Sequence, residues 1–361
     1  MAATTAHAPT AGSPAAAPPH PTAWLDFARV AAMLAVVLVH VFAPVVTTVH
    51  SEFASPAWWT ANAVDSMLRW CVPVFVMISG ALLLRPRDEG LRRFYTKRFS
   101  RIGVPLAVWT ALYVAWEIWR TGISPMEAVS DVLSGAPSLH LYFLFVLAGL
   151  YVLTPFLRVL VEHSTTVSLW WFAAVMSAIG MADQAISALD GVGEPNAATR
   201  FLPYIGYYFM GYLLTRTAPT RRAVWTAGAV FAASVAATGA GAAALALLAG
   251  GWGGTAAYVY DYLSPTVLAM SAAAFVLLRA AGTRLYGRTG TPRWLSVLSS
   301  LSFGVFLVHV VVLYTLRDIT GVPGSAHGML AMAGLHATAV LTVSLLVTAL
   351  FQRIPGLRAT V

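Results

Sequence analysis

Two residues in the first long apolar segment have types and a spacing that suit proton transfer. Arg29 and His40 are eleven positions apart, and eleven steps of about 100° end about 20° beyond three full helical turns. On a helix the two side chains therefore share one face, roughly 16 Å apart along the axis. A neutral imidazole accepts a proton from an attacking hydroxyl near pH 7. We therefore predict that His40 is catalytic and that Arg29, on the same helix face, belongs to the same catalytic site.

Two acidic residues lie where they can pair with arginines on the same helices. Asp26 is three positions before Arg29, and Asp65 is four positions before Arg69. Residues at these spacings are neighbours on a helix surface, so each carboxylate can neutralise its arginine. We predict that Asp26 and Arg69 take part in binding a substrate.

Three histidines and one arginine are expected at similar depth in the outer half of the protein. His40 and Arg69 lie in the first two apolar segments, His140 opens a later one, and His309 lies slightly outward of the centre of another. We predict that these four side chains line one polar cavity, with Arg29 beneath it. Structural alternatives stay open: a hydrogen-bonded core position for His309, an interfacial position for His140, and a lipid-facing Arg29 that extends to the headgroups.

The elements that carry these residues are predicted to be transmembrane helices. The chain has 361 residues, of which 58% are hydrophobic and 10% are charged, whereas soluble domains carry about 25% charged residues. The apolar residues form runs of about 20, long enough to cross roughly 30 Å of hydrocarbon as helix. We predict an all-α polytopic membrane protein of about ten helices, at residues 24–46, 62–84, 101–119, 139–161, 166–186, 201–216, 222–249, 258–281, 297–316 and 328–351.

The basic residues orient this bundle. Seventeen of the 22 lie in the even-numbered loops or the C-terminal tail, and only Arg120, Arg200 and Arg317 lie in odd-numbered loops. The positive-inside rule then places both termini in the cytoplasm. We also expect the protein to lie in the plasma or inner membrane. Residues 1–23 are predicted to be a disordered cytoplasmic tail, 24–351 the transmembrane domain, and 352–361 a second cytoplasmic tail. The charge pattern follows membrane topology, so we expect membrane lipids and no nucleic acid as partners.

Several common catalytic motifs do not occur. The sequence has no G-x-S-x-G, P-loop, H-E-x-x-H or H-x-x-x-x-D pattern. With Cys71 as the single cysteine, neither a disulfide framework nor a cysteine-rich metal site is possible. We predict no metal.

Five segments in consistent order resemble acyltransferase family 3, integral membrane O-acyltransferases, and especially its surface-polysaccharide O-acetyltransferase branch. The family hallmark is a basic residue, ten others and then His, matched here by Arg29 and His40. The segments are LDFARVAAMLAVVLVH (25–40), RWCVPVFVMISGALLL (69–84), KRFSRIGVPLAVW (97–109), LHLYFLFVLAGLYVLTP (139–155) and SFGVFLVHVVVL (302–313). The resemblance extends from residue 24 to about 350 and includes no appended extracytoplasmic domain.

The resemblance implies transfer of an acyl group, commonly acetyl from acetyl-CoA, to a hydroxyl of an extracytoplasmic or lipid-linked glycan. Basic residues at the inner mouth, Lys97, Arg98 and Arg101 with Arg29, are then expected to bind the anionic acyl-CoA. The same basic run has an alternative interpretation as a topology signal alone. Two other functions stay open at this point: a transporter or flippase that consumes no acyl-CoA, and an inactive relative on the same scaffold.

Overall fold

The computed structural model describes residues 22–361 except 49–51, 192, 194 and 322–325. Its regular structure is helical throughout the described residues, which confirms the all-α prediction. The α-helices are α1 (Ala23–Val46), α2 (Pro56–Leu68), α3 (Cys71–Leu83), α4 (Leu91–Arg98), α5 (Val104–Thr121), α6 (Pro125–Ser134), α7 (Tyr142–His163), α8 (Thr166–Asp190), α9 (Ile205–Leu214), α10 (Arg221–Ala249), α11 (Gly254–Tyr260), α12 (Pro265–Tyr286), α13 (Arg293–Thr320) and α14 (Ala326–Arg353). The predicted tail 1–23 lies outside the described residues up to position 21.

Nine helical segments among the described residues are long and apolar enough to cross a membrane. Three of them are composite: α2 and α3 meet at Arg69 and Trp70, α4 and α5 are joined by the π-helical turn Phe99–Gly103, and α11 leads into α12. Nine of the ten predicted spans correspond to these segments. The protein is therefore a multi-pass membrane protein.

The predicted span 201–216 is shorter in the structure than the sequence suggested. A 3₁₀ turn, Leu202–Tyr204, leads into α9, whose residues 205–213 are all buried. A Cβ atom at Gly80 of α3 would clash with the Tyr208 carbonyl oxygen, and one at Gly211 with that of Met77, so α3 and α9 cross in backbone contact. Because protein rather than lipid surrounds it, α9 does not need the full length of a membrane span.

Helices α1, α2, α3 and α13 form the centre of the bundle, and most residues in their most apolar stretches are buried. By contrast, α8, α10 and α14 expose most of their apolar surface, as expected of helices that face lipid. The central helices carry Arg29, His40, Arg69 and His309, so the candidate site lies on the least exposed part of the fold.

The C-terminal residues pack against the bundle. Helix α14 ends at Arg353, and a 3₁₀ turn, Leu357–Thr360, follows it. The indole nitrogen of Trp109 on α5 donates a hydrogen bond of 2.8 Å to the carbonyl oxygen of Thr360. The end of the chain therefore closes over the inner end of α5.

Candidate active site

An outer cavity of about 340 Å³ opens between α1, α3, the start of α7 and the loops before α9 and α12. His40 borders it from α1, and Arg69 borders it from the break between α2 and α3. Its other polar lining residues come from loops and helix ends: His140, Tyr142, Asp183, Gln184, Ser187, Arg200, Tyr204, Asp261 and Tyr262. The cavity thus combines cationic, acidic and phenolic groups.

Three histidine rings meet beside this cavity. The ring centroids of His40 and His309 are 5.1 Å apart, those of His140 and His309 are 5.1 Å apart, and those of His40 and His140 are 6.4 Å apart. His140 is 1% exposed and packs edge-on against Tyr113 at 4.9 Å, so protein rather than lipid surrounds its ring. The structure brings together three histidines that are far apart in the sequence.

His309 is fully buried behind the other two histidines and does not border the cavity itself. Its Nδ1 lies 2.6 Å from the carbonyl oxygen of Phe306. Because a carbonyl oxygen only accepts, Nδ1 carries the proton, and the neutral ring leaves Nε2 as an acceptor. In this tautomer His309 has no second N–H to donate to its neighbours.

Arg69 forms an ion pair with Asp65, as the sequence predicts. Its Nη2 donates to Asp65, which is completely buried, and its guanidinium lies 4.5 Å from the ring centroid of Tyr260. Tyr260 is fixed in turn by Asn62 and Ser66 on α2. The ion pair neutralises a charge that would otherwise be costly inside the membrane.

An inner cavity of about 490 Å³ lies on the face that carries the basic loops. Arg29 and Asp26 border it from α1, at 3.5 Å from each other, and Ser299 donates a 2.7 Å hydrogen bond to Asp26. Arg29 thus faces a protein cavity and not only the headgroups. The other charged lining residues are Arg87, Arg98 and Arg101, so four arginines and one carboxylate surround this space.

Lys97 is not among the residues that border the inner cavity. Its side chain is 51% exposed and donates a 2.8 Å hydrogen bond to Glu89. That hydrogen bond lowers the pKa of the Glu89 carboxyl, which keeps Glu89 ionised at neutral pH. The structure therefore separates Lys97 from Arg98 and Arg101, with which the sequence grouped it, and Arg87 joins them instead.

The two cavities share two lining residues, Phe143 on α7 and Phe306 on α13. Their ring centroids are 5.3 Å apart. Arg29 lies on one side of this aromatic pair and His40 on the other, although both are on α1. The phenyl rings separate the two cavities.

Sequence reasoning missed several residues of both cavities. Asp183, Arg200 and Asp261 lie at helix ends or in loops far apart in sequence, so only the fold reveals that they meet. Arg317, assigned from the sequence to an outer loop, lies inside α13 and is 7% exposed. That helix continues one turn beyond the predicted end at residue 316, because the polar residues of the last turn pair with neighbouring helices.

A family model described as "Acyltransferase domain", that of acyltransferase family 3, matches residues 22–353. No curated protein and no solved structure matches the chain. The matched range covers all nine long helices together with both cavities. The chain belongs to acyltransferase family 3 and is a multi-pass membrane acyltransferase.

Proposed function

We propose that the protein transfers an acyl group, acetyl in the simplest case, from cytoplasmic acyl-CoA to a hydroxyl of an extracytoplasmic or lipid-linked glycan. The observation that carries this proposal is the position of His40. It borders a polar outer cavity and lies on the same helix face as Arg29, which borders a cationic inner cavity. We place the protein in the plasma or inner membrane, where acyl-CoA is available on one side and glycan on the other.

The inner cavity suits the donor. Arginine is the side chain best matched to phosphate, because its planar guanidinium donates two parallel hydrogen bonds. Arg29, Arg87, Arg98 and Arg101 surround a space within the usual volume range of ligand pockets, about 300–1,000 Å³. The phosphates of acyl-CoA bind at this mouth, and the pantetheine arm extends upward along α1.

The acyl end must pass between Phe143 and Phe306 to reach His40. The rise from Arg29 to His40 is roughly 16 Å along α1, comparable to the length of an extended phosphopantetheine arm. The phenyl rings then surround the thioester and exclude water, which limits hydrolysis while no acceptor is bound.

The chemistry that follows needs only groups of the outer cavity. The acceptor hydroxyl gives its proton to a ring nitrogen of His40 while its oxygen forms a bond to the thioester carbonyl carbon. Arg69 stabilises the resulting oxyanion, since neutral His309 has no free N–H to offer. The intermediate collapses with cleavage of the C–S bond, and the CoA thiolate takes the proton from the His40 imidazolium.

The outer cavity has the side chains that sugars require. Asp183 and Asp261 accept hydrogen bonds from hydroxyl groups, and Tyr142, Tyr204 and Tyr262 offer aromatic rings and phenolic hydroxyls. Such mixed polar and aromatic surfaces suit a ring that carries both C–H faces and hydroxyls. These residues support a glycan as the acceptor.

The glycan acceptor is tested in cells that produce the protein from a plasmid. We expect surface and lipid-linked glycans from cells with the wild-type protein to release acetate on mild alkaline treatment, and glycans from cells with His40→Ala to release far less. Equal ester content in the two strains, with equal amounts of protein in the membrane, would rule out glycan acylation by this site.

Arg101 and Lys97 give a direct comparison of the inner basic residues. Arg101→Ala is expected to raise the KM for acetyl-CoA about tenfold, because one charge-assisted phosphate contact contributes about 1.5–3 kcal/mol. Lys97→Ala, which removes an exposed charge paired with Glu89, is the matched control and is expected to leave KM within about twofold. The measurement is CoA release in nanodiscs, and equal effects of the two substitutions would contradict the assignment.

Phe306 is expected to limit the length of the acyl group. Phe306→Ala opens the boundary between the cavities, and we expect the ratio of butyryl to acetyl transfer to rise about tenfold or more. Phe303→Ala, one turn earlier on α13, is the control, because Phe303 borders only the inner cavity. An unchanged chain-length profile in Phe306→Ala would mean that the acyl group takes another route.

A further inference from the structure

A proline lies inside helix α1 one turn after His40. Pro44 lies inside α1 and has no backbone N–H, so the carbonyl oxygen of His40 loses its usual intrahelical donor. A buried carbonyl needs a hydrogen-bond partner, and inside a membrane protein water rarely supplies one. The residue proposed as the general base thus has a backbone acceptor that another part of the protein must satisfy.

Arg317 supplies that partner from α13. Its Nη2 atom lies 2.9 Å from the carbonyl oxygen of His40 and 2.9 Å from that of Val41. The amino nitrogen carries two hydrogens, one for each carbonyl. Arg317 is 7% exposed, and its guanidinium lies 5.8 Å from the ring centroid of Tyr314.

Burying a guanidinium in order to satisfy the carbonyl of His40 costs free energy, because the ionised group loses its hydration. Arg317 has no carboxylate within ion-pair distance among the described residues, since neighbouring Asp318 binds Arg120. Any residue with a backbone N–H at position 44 would satisfy His40 without burying a charge. The combination of Pro44 and Arg317 therefore points to a function for these hydrogen bonds between α13 and α1, rather than to helix stability alone.

The hydrogen bonds of Arg317 connect α13 to α1, the two helices that carry His309 and His40. His309 lies on α13 eight residues before Arg317, and its ring centroid is 5.1 Å from that of His40 on α1. The Arg317 hydrogen bonds fix the backbone of His40 to the same helix. We propose that Arg317 is a positioning residue, which holds the backbone of α1 before Pro44 so that the His40 ring stays aligned for proton transfer. This inference rests on the proposed role of His40.

The test compares kcat and KM for acetyl-CoA turnover by purified protein in nanodiscs. Arg317→Leu is expected to lower kcat about ten- to hundredfold, because small misplacements of a catalytic group have effects of that size. The KM for acetyl-CoA should stay within about twofold, since the donor cavity lies beyond Phe143 and Phe306. Arg317→Lys, which retains a donor, should keep several-fold more kcat than Arg317→Leu.

The same Arg317 substitution in a Pro44→Ala variant distinguishes a positioning role of Arg317 from a general effect on the stability of the protein. In Pro44→Ala, the new backbone N–H replaces the guanidinium as the donor to His40, so Arg317→Leu should cost far less kcat there than in the wild-type background. Arg120→Leu is the matched control, because Arg120 lies 4.7 Å from the same Tyr314 ring but does not contact α1. Its kcat should stay within about twofold of wild type.

Three results would overturn the inference: wild-type kcat in Arg317→Leu, equal losses for Leu and Lys at position 317, or a loss that appears in KM alone. A wild-type protein that neither binds nor hydrolyses acyl-CoA would instead refute the proposed function. The two failures are therefore distinguishable in the same experiment.

Discussion

Replacing His40 with alanine is expected to abolish acyl transfer while the protein still binds acyl-CoA. General acid–base catalysis contributes about 10²–10⁴-fold to rates, so kcat should fall by about that factor. Donor binding should persist because His40 does not border the inner cavity. The measurement is acetyl-CoA turnover and equilibrium binding on the same nanodisc sample.

His336 provides the matched control for this substitution. It is likewise a histidine in a membrane helix, but it is buried, binds Thr320 at 2.9 Å and borders neither cavity. His336→Ala should keep kcat within about threefold of wild type, as expected of a residue outside the site. Near-normal transfer by well-folded His40→Ala would show that another group is the base.

Breaking the Asp65–Arg69 pair is expected to destabilise the protein strongly. Asp65→Leu leaves the Arg69 guanidinium, whose side chain is 14% exposed, without its fully buried carboxylate, and removing one partner of a buried pair costs about 3–5 kcal/mol. The double variant Asp65→Leu with Arg69→Met removes both charges and should recover most of that loss. Thermal unfolding of the purified protein in detergent measures both effects.

The acyl-transfer activity of the double variant distinguishes the contribution of Arg69 to stability from its contribution to catalysis. Because Arg69 borders the outer cavity, we expect the restored protein to remain deficient in acyl transfer. Asp318→Leu is the control: Asp318 is 52% exposed and pairs with Arg120, so its loss should cost less than about 1 kcal/mol. A double variant with full transfer would exclude Arg69 from the oxyanion site.

Helical periodicity made the central part of the site predictable. Arg29 and His40 share a face of α1 because their spacing is close to three helical turns, and Asp65 reaches Arg69 because the two are four residues apart. The orientation of the bundle stays a prediction of the positive-inside rule, which applies because the basic loops are short and close to the membrane. Local rules were sufficient wherever the two partners lie on the same helix.

Contacts between apolar residues of distant helices were not predictable. Phe143 and Phe306 are apolar residues in apolar helices, and nothing in their sequence distinguishes them from other core residues. Lys97 was assigned to the donor site because it is positively charged. Its hydrogen bond to Glu89, eight residues earlier, could not be predicted from that charge. The short helix α9 resembled a full span because it is apolar on every side, which is also what burial within protein requires.

The central claim is that donor and acceptor reach His40 from opposite faces of the membrane, on either side of Phe143 and Phe306. Sealed proteoliposomes of known orientation test it, because acetyl-CoA does not cross a bilayer. We expect acetyl-CoA turnover and release of free CoA only when the donor is supplied at the face that carries Arg98 and Arg101, and none with His40→Ala. Turnover of donor supplied only at the opposite face would contradict the account.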